Sequence, residues 1–175
     1  MKKVISSVTC SVAVILGLVF GQPNDLETSK EGLEHTANRE GCMTQAYQCS
    51  AGTWTSGLGH TSNTKEGDTV TNEQIAENFI SDISKAEKVV NRHLKVDVTQ
   101  AQFDVLVSFV FNLGSGNFRS STILKLFNKS EPALACNQFM RWVYVSGKNC
   151  NDKENNCYGI VKRRIIEKNA CLNGW

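Results

Sequence analysis

A chain of 175 residues is long enough to bury a core as one domain and to carry a targeting segment besides. Its 19 basic and 17 acidic side chains leave a formal net charge of +2 with no run of like charge, which argues against a dedicated nucleic-acid binder. Seven cysteines are many for a reducing cytosol and point to an exported or periplasmic chain.

The first element is apolar. Met1-Lys2-Lys3 precedes "VISSVTCSVAVILGLVFG", Val4 to Gly21, and no further charge occurs until Asp25. Lysines beside an apolar run hold the N-terminus in the cytoplasm and send the rest across the membrane. The run is barely long enough to span a bilayer, and Ser6, Ser7, Thr9, Ser11 and Gly17 dilute it. Its ten strongly apolar residues supply only about −3 to −6 kcal/mol of insertion free energy, from which the hydroxyls and glycines subtract. Two readings stay open: a weakly held anchor over residues 1–24 ahead of a domain over 25–175, or an export signal cut near Val19-Phe20-Gly21.

Helical pattern begins around residues 29–40, with Leu33 and Ala37 on one face. From Cys42 to about Thr64 the glycines Gly52, Gly57 and Gly59, with Tyr47, Thr53, Trp54 and Thr55, predict short strands and tight turns. Thr71 and Gln74 form a capping box ahead of Ile75, Phe79, Ile83 and Ala86 at helical spacing. A second box, Thr99 with Gln102, opens "QFDVLVSFVFNLG", which is apolar on nearly all sides and so should be central and buried, ending at Gly114. Pro132 suits the first turn of a helix reaching Trp142, and a last helix runs from about Gly159 to Leu172 with Gly174 beyond it. The expected class is α+β and mostly helical: a small strand-and-turn lobe, a larger helical lobe and a cleft between them.

The chemistry concentrates in "REGCMTQAYQCSAGTWTSGLGHT", Arg39 to Thr61. Glu40 falls at a helix end before a turn-rich segment, where partial burial would make its carboxyl a usable general acid; the commoner fate of a lone Glu is a solvated surface. Cys49 is a nucleophile, a polar group facing a developing cation, or half of a disulfide. Thr55 alone would read as a structural hydroxyl. His60 suits a hydrogen-bonding role in its turn, while His35 and His93 read as helix-surface residues. No compact Cys/His quartet appears, so no metal site is expected, and no cofactor.

The combination carries more than its parts. Glu40, eight residues, Cys49, five residues, Thr55 and then "GLGHT" resembles the signature of the phage-type lysozymes, a glycoside hydrolase family. "SFVFNLGSGNFRSSTILK" resembles that family's buried central helix and following loop, and "RWVYVSGK" with "GIVKRRIIEKNACLNG" resembles its closing helices. The resemblance covers most of the chain after about residue 30. It implies a lysozyme-like fold and a muramidase cleaving the β-1,4 bond between N-acetylmuramic acid and N-acetylglucosamine in peptidoglycan. Glu40 would protonate the leaving oxygen, and positions 49 and 55 would hold the attacking water on the opposite face. Many members carry Asp where this chain has Cys49. Phe111, by resemblance, lines the substrate cleft; core packing is the alternative.

Within the family the chain looks most like signal-arrest-release endolysins gated by thiol–disulfide exchange. That likeness implies an inactive Cys42–Cys49 bridge at the inner membrane and an exchange to Cys10–Cys42 once the N-terminal segment leaves the bilayer. The rings span 8 and 33 residues, worth about 2.5 and 3.7 kcal/mol in the chain-entropy model, so insertion and local strain decide between them. Cys150 with Cys157, and Cys136 with Cys171, would be structural pairs; a permanent Cys42–Cys49 staple is the plainer alternative. The implied protein is a monomer acting on peptidoglycan, anchored with its domain in the periplasm and then released there to lyse the host. Two other functions remain: a lytic transglycosylase, for which Cys49 and Thr55 are dispensable, and a wall-binding protein indifferent to Glu40.

Overall fold

The computed structural model describes residues 9–48 and 52–175. In chain order it contains helices α1 (Val12–Gly21) and α2 (Lys30–Ala37), strands β1 (Met43–Gln48) and β2 (Trp54–Gly57), and helices α3 (Asn72–His93), α4 (Gln100–Ser120), α5 (Thr122–Phe127) and α6 (Pro132–Asn137). Strands β3 (Tyr144–Val145) and β4 (Lys148–Asn149) and helix α7 (Tyr158–Asn173) complete it. The class is α+β and mostly helical with a small hairpin sheet, as the sequence predicts. Contacts divide the chain into two units, Met1–Glu27 with Leu33–Lys85 and Thr28–Gly32 with Ala86–Trp175.

In the first unit β1 and β2 pair antiparallel, Met43 opposite Gly57, Tyr47 opposite Thr55 and Gln48 opposite Trp54, with an irregularity between Met43 and Tyr47. The other edge of β1, and Cys42 just ahead of it, also find backbone partners. Ala46 N–H donates to Asp68 O (2.8 Å) and Val70 N–H to Thr44 O (2.8 Å), while Cys10 N–H donates to Cys42 O (3.0 Å). Helix α1 is apolar almost throughout, yet it buries only Ile15, Leu16 and Val19 and leaves Val14 and Phe20 exposed. Its glycines Gly17 and Gly21 touch nothing that an added Cβ would meet, and they line a 280 Å³ hollow with Glu73, Ala76 and Glu77 of α3. Among the described residues no helix is long and apolar enough to cross a membrane. The Thr71–Gln74 box forms in both directions, 2.9 and 3.3 Å, and α3 then runs past Ala86 to His93.

In the second unit the Thr99–Gln102 box opens α4, and Phe103 to Val110 are buried without a break, which agrees with its unalternating apolar sequence. Gly114 does not end this helix as expected. It kinks it with φ 81° and ψ 163°, and helical backbone resumes to Ser120 because glycine takes that dihedral without a steric cost and fully buried Phe118 anchors the second arm. The helix opened by Pro132 tightens to a 3-10 turn over Gln138–Arg141, so Trp142 is its cap and not its last residue. Ser121 caps the short α5, a helix whose six residues are too few to show periodicity. His35 is buried and not on the helix surface, because α2 buries Leu33, Thr36 and Ala37 around it and is covered on more than one side.

Candidate active site

Helix α2 delivers Glu40. Asn38, Arg39 and Glu40 continue its end in tightening turns, Glu40 N–H donating to Ala37 O at 3.2 Å, and the side chain is half-buried. The start of α2 is held in the second unit by two buried carboxylates. Glu87 accepts from Thr28 N–H (2.7 Å) and Thr28 Oγ1 (2.6 Å). Asp104 accepts from Ser29 N–H (3.0 Å), Ser29 Oγ, Gln100 Nε2 (2.8 Å) and Trp175 Nε1 (2.8 Å). Ser29 Oγ in turn caps the helix by accepting from Gly32 N–H at 3.1 Å. Gly32 is glycine for a packing reason: a Cβ there would lie 2.7 Å from Asp104 Cβ.

Thr55 stands on β2 opposite Tyr47, buried to 5 % exposure, its hydroxyl donating to Thr53 O at 3.2 Å. The turn beyond it is tight: Ser56 and His60 exchange backbone hydrogen bonds of 2.9 Å each, and Gly57, at φ +59°, sits where a Cβ would press on Ile75 at 3.0 Å. His60 Nδ1 lies 2.6 Å from Asp82 Oδ2, and Asp82 also accepts from Lys85 Nζ at 2.8 Å. That matches a structural role for His60. Glu40 and Thr55 belong to the same unit. Cys49, which follows Gln48 in the sequence, lies outside the described residues. Phe111 is a half-buried residue of the second unit, three positions ahead of the α4 kink.

The cysteines are joined as Cys10–Cys42, Cys136–Cys171 and Cys150–Cys157. Because Cys42 is bonded to Cys10, a Cys42–Cys49 bridge and this structure exclude one another. Sequence reasoning missed a buried charge cluster in the second unit. Glu167 is fully buried, accepts from Ser108 Oγ (2.8 Å) and Arg163 Nε (3.1 Å), and pairs with Arg164. Arg164 also donates to Trp142 O (3.1 Å) and to Asn112. Burial pulls the Arg164 guanidinium below its ordinary range, and the Glu167 carboxylate opposes that shift. The i, i+4 spacing of Arg163 and Glu167 was the available signal, but on an exposed helix the same spacing is commonplace.

The phage lysozyme family profile matches residues 37–167, which include Glu40 and Thr55. The chain belongs to the phage lysozyme family. An endolysin of Acyrthosiphon pisum secondary endosymbiont phage 1 is 41% identical over 144 residues, 82% of this chain and 96% of that one. The SAR-endolysin of Escherichia phage P1 is 31% identical over 177 residues, 94% of this chain and 91% of its own. The crystal structure of the active form of P1 phage endolysin Lyz overlays with a TM-score of 0.83 at 30% identity, covering 97% of each chain. This lysozyme is therefore a glycoside hydrolase of the phage muramidase type, and its mostly helical fold with a small hairpin sheet is that of the family.

Proposed function

We propose that this lysozyme is a peptidoglycan muramidase in which Glu40 is the general acid, Cys49 and Thr55 hold the water, and thiol–disulfide exchange governs whether Cys49 is available. Glu40 passes its proton to the glycosidic oxygen as an oxocarbenium-like centre develops at the muramic acid carbon. Water then attacks from the opposite face and the configuration inverts. Residues 1–24 hold the chain at the inner membrane with its domain in the periplasm, and release lets Cys10 displace Cys49 from Cys42. In that exchange the Cys10 thiolate attacks the Cys42 sulfur, the Cys42–Cys49 bond breaks, and Cys49 leaves as the thiolate.

The observation that carries this reading is the Cys10–Cys42 disulfide in a chain whose α1 is packed into its first unit. The likeness to the active form of the P1 enzyme supports taking it as the active state. The test is turnover of purified peptidoglycan with product analysis. Glu40→Gln should abolish turnover while the fold is kept, and the parent should release reducing ends of inverted configuration. A 1,6-anhydro product would sink the hydrolytic mechanism, and full turnover by Glu40→Gln would sink the assignment of the acid.

A further inference from the structure

The near-neutral net charge conceals a separation. Of the 19 basic and 17 acidic residues, 14 and 8 fall in the second unit, a net of +6, and 5 and 9 in the first, a net of −4. Three of the second unit's eight acids, Glu87, Asp104 and Glu167, are buried, as are two of its fourteen basic residues, Arg163 and Arg164, which leaves 12 basic and 5 acidic side chains outside the core, a net of +7.

That surface includes one face of α7 with a distinct composition. Tyr158, Lys162, Ile165, Asn169 and Leu172 follow at steps of four, three, four and three, which puts them on one stripe of the helix. The stripe faces solvent: Tyr158 is 37% exposed, Ile165 39% and Leu172 41%. Lys162 Nζ lies over the Tyr158 ring at 5.9 Å, and half-buried Lys168 flanks the stripe. The one acid of α7, Glu167, is turned inward to Arg164. So an exposed helix face about 21 Å long carries aliphatic and aromatic tips and lysines, with no carboxylate among them.

We infer that this face of α7 docks the folded enzyme onto the surface of an anionic phospholipid bilayer. Ile165 and Leu172 enter the boundary between headgroups and acyl chains, Tyr158 lies at headgroup level, and Lys162 and Lys168 meet the lipid phosphates. A second copy of the chain is a poor occupant, since it sets these lysines against their own copies with no acid to pair them. A glycan strand offers no apolar layer for the two aliphatic tips. The inference rests on the α7 surface alone and not on the N-terminal anchor. A released enzyme held this way stays at the membrane beside its polymer substrate.

The test is co-flotation of the full-length enzyme, with Cys10–Cys42 closed, on equimolar phosphatidylglycerol/phosphatidylcholine vesicles and on pure phosphatidylcholine vesicles. Binding is expected only to the anionic vesicles and should weaken as salt is added. Lys162→Gln/Lys168→Gln should reduce it about thirtyfold, the product of about fivefold per lysine. Ile165→Gln/Leu172→Gln should reduce it while leaving turnover of purified peptidoglycan and the circular dichroism spectrum at the parental level. Equal binding to both vesicle types, or variants that float like the parent, overturns the inference, because insertion through residues 1–24 alone would give that result. Vesicle-free turnover, measured in parallel, reports on the muramidase reading independently.

Discussion

The substitution Cys10→Ser puts the exchange mechanism at most risk. In the structure Cys10 is bonded to Cys42 across a sequence separation of 32, and its backbone N–H donates to Cys42 O at 3.0 Å. The bridge closes a 33-residue ring, which constrains the chain by about 3.7 kcal/mol, or about 500-fold in the equilibrium between docked and undocked N-terminal segment. That exceeds the burial of any one of Ile15, Leu16 and Val19, each worth about 1.5–3 kcal/mol. The substitution also leaves the Cys42 thiol without its partner. Cys49 then closes the eight-residue ring, worth about 2.5 kcal/mol, with nothing to compete. Purified under non-reducing conditions, Cys10→Ser should turn over peptidoglycan at a small fraction of the parental rate, and a mild reductant should restore most of it. The double variant Cys10→Ser/Cys42→Ser should be active with or without reductant. Parental activity of Cys10→Ser before reduction, with no Cys42–Cys49 peptide on mapping, would refute the reasoning.

Three further outcomes follow from the packing. Glu167→Gln leaves Arg163 and Arg164 buried without a carboxylate and should cost about 3–5 kcal/mol, seen in thermal unfolding as a fall of roughly 6–20 °C for a chain of this length. Gly32→Ala drives a Cβ to within 2.7 Å of Asp104 Cβ and should cost about 1–3 kcal/mol, measured by urea titration, with an undiminished midpoint counting against the close approach. Glu73 is held below its ordinary value of 4.5 by its backbone hydrogen bond and then by Thr71. A lowered carboxyl pKa stabilises above the unfolded value and loses that contribution as pH falls through the folded one. Parent and Glu73→Gln should therefore differ in melting temperature near neutrality and converge below pH 4.5.

Much of the helical framework was legible because its signals are local. Thr71 with Gln74 and Thr99 with Gln102 are capping boxes by spacing alone, and both form. The unbroken apolar run from Phe103 to Val110, Asp104 and Ser108 apart, needed no partner to be read as buried. The sequence also carried the family, through Glu40, Thr55 and the Gly-His turn. Where local signals were short or ambiguous the reading fell behind: α5 has six residues and β3 and β4 two each, and Gly114 reads alike as a stop and as a kink.

What tertiary structure decided are the pairings of groups far apart in the chain. Asp104 meets Ser29 across 75 positions and Trp175 across 71, Glu87 meets Thr28 across 59, and Arg164 meets Asn112 across 52. Read singly, each of those acids is an ordinary surface carboxylate. Only the fold shows that Asp104 and Glu87 are buried and satisfied, the two together fixing the start of α2 at Thr28 and Ser29. The same holds for the cysteines, since loop entropy separates the competing rings of Cys42 by only about 1 kcal/mol. Their composition determined that disulfides form. In the proposed exchange, the sulfur that Cys42 takes follows from whether the segment bearing Cys10 lies along the chain at Cys42 and Met43; in this structure Thr9 bridges to Met43 and Cys10 is bonded to Cys42.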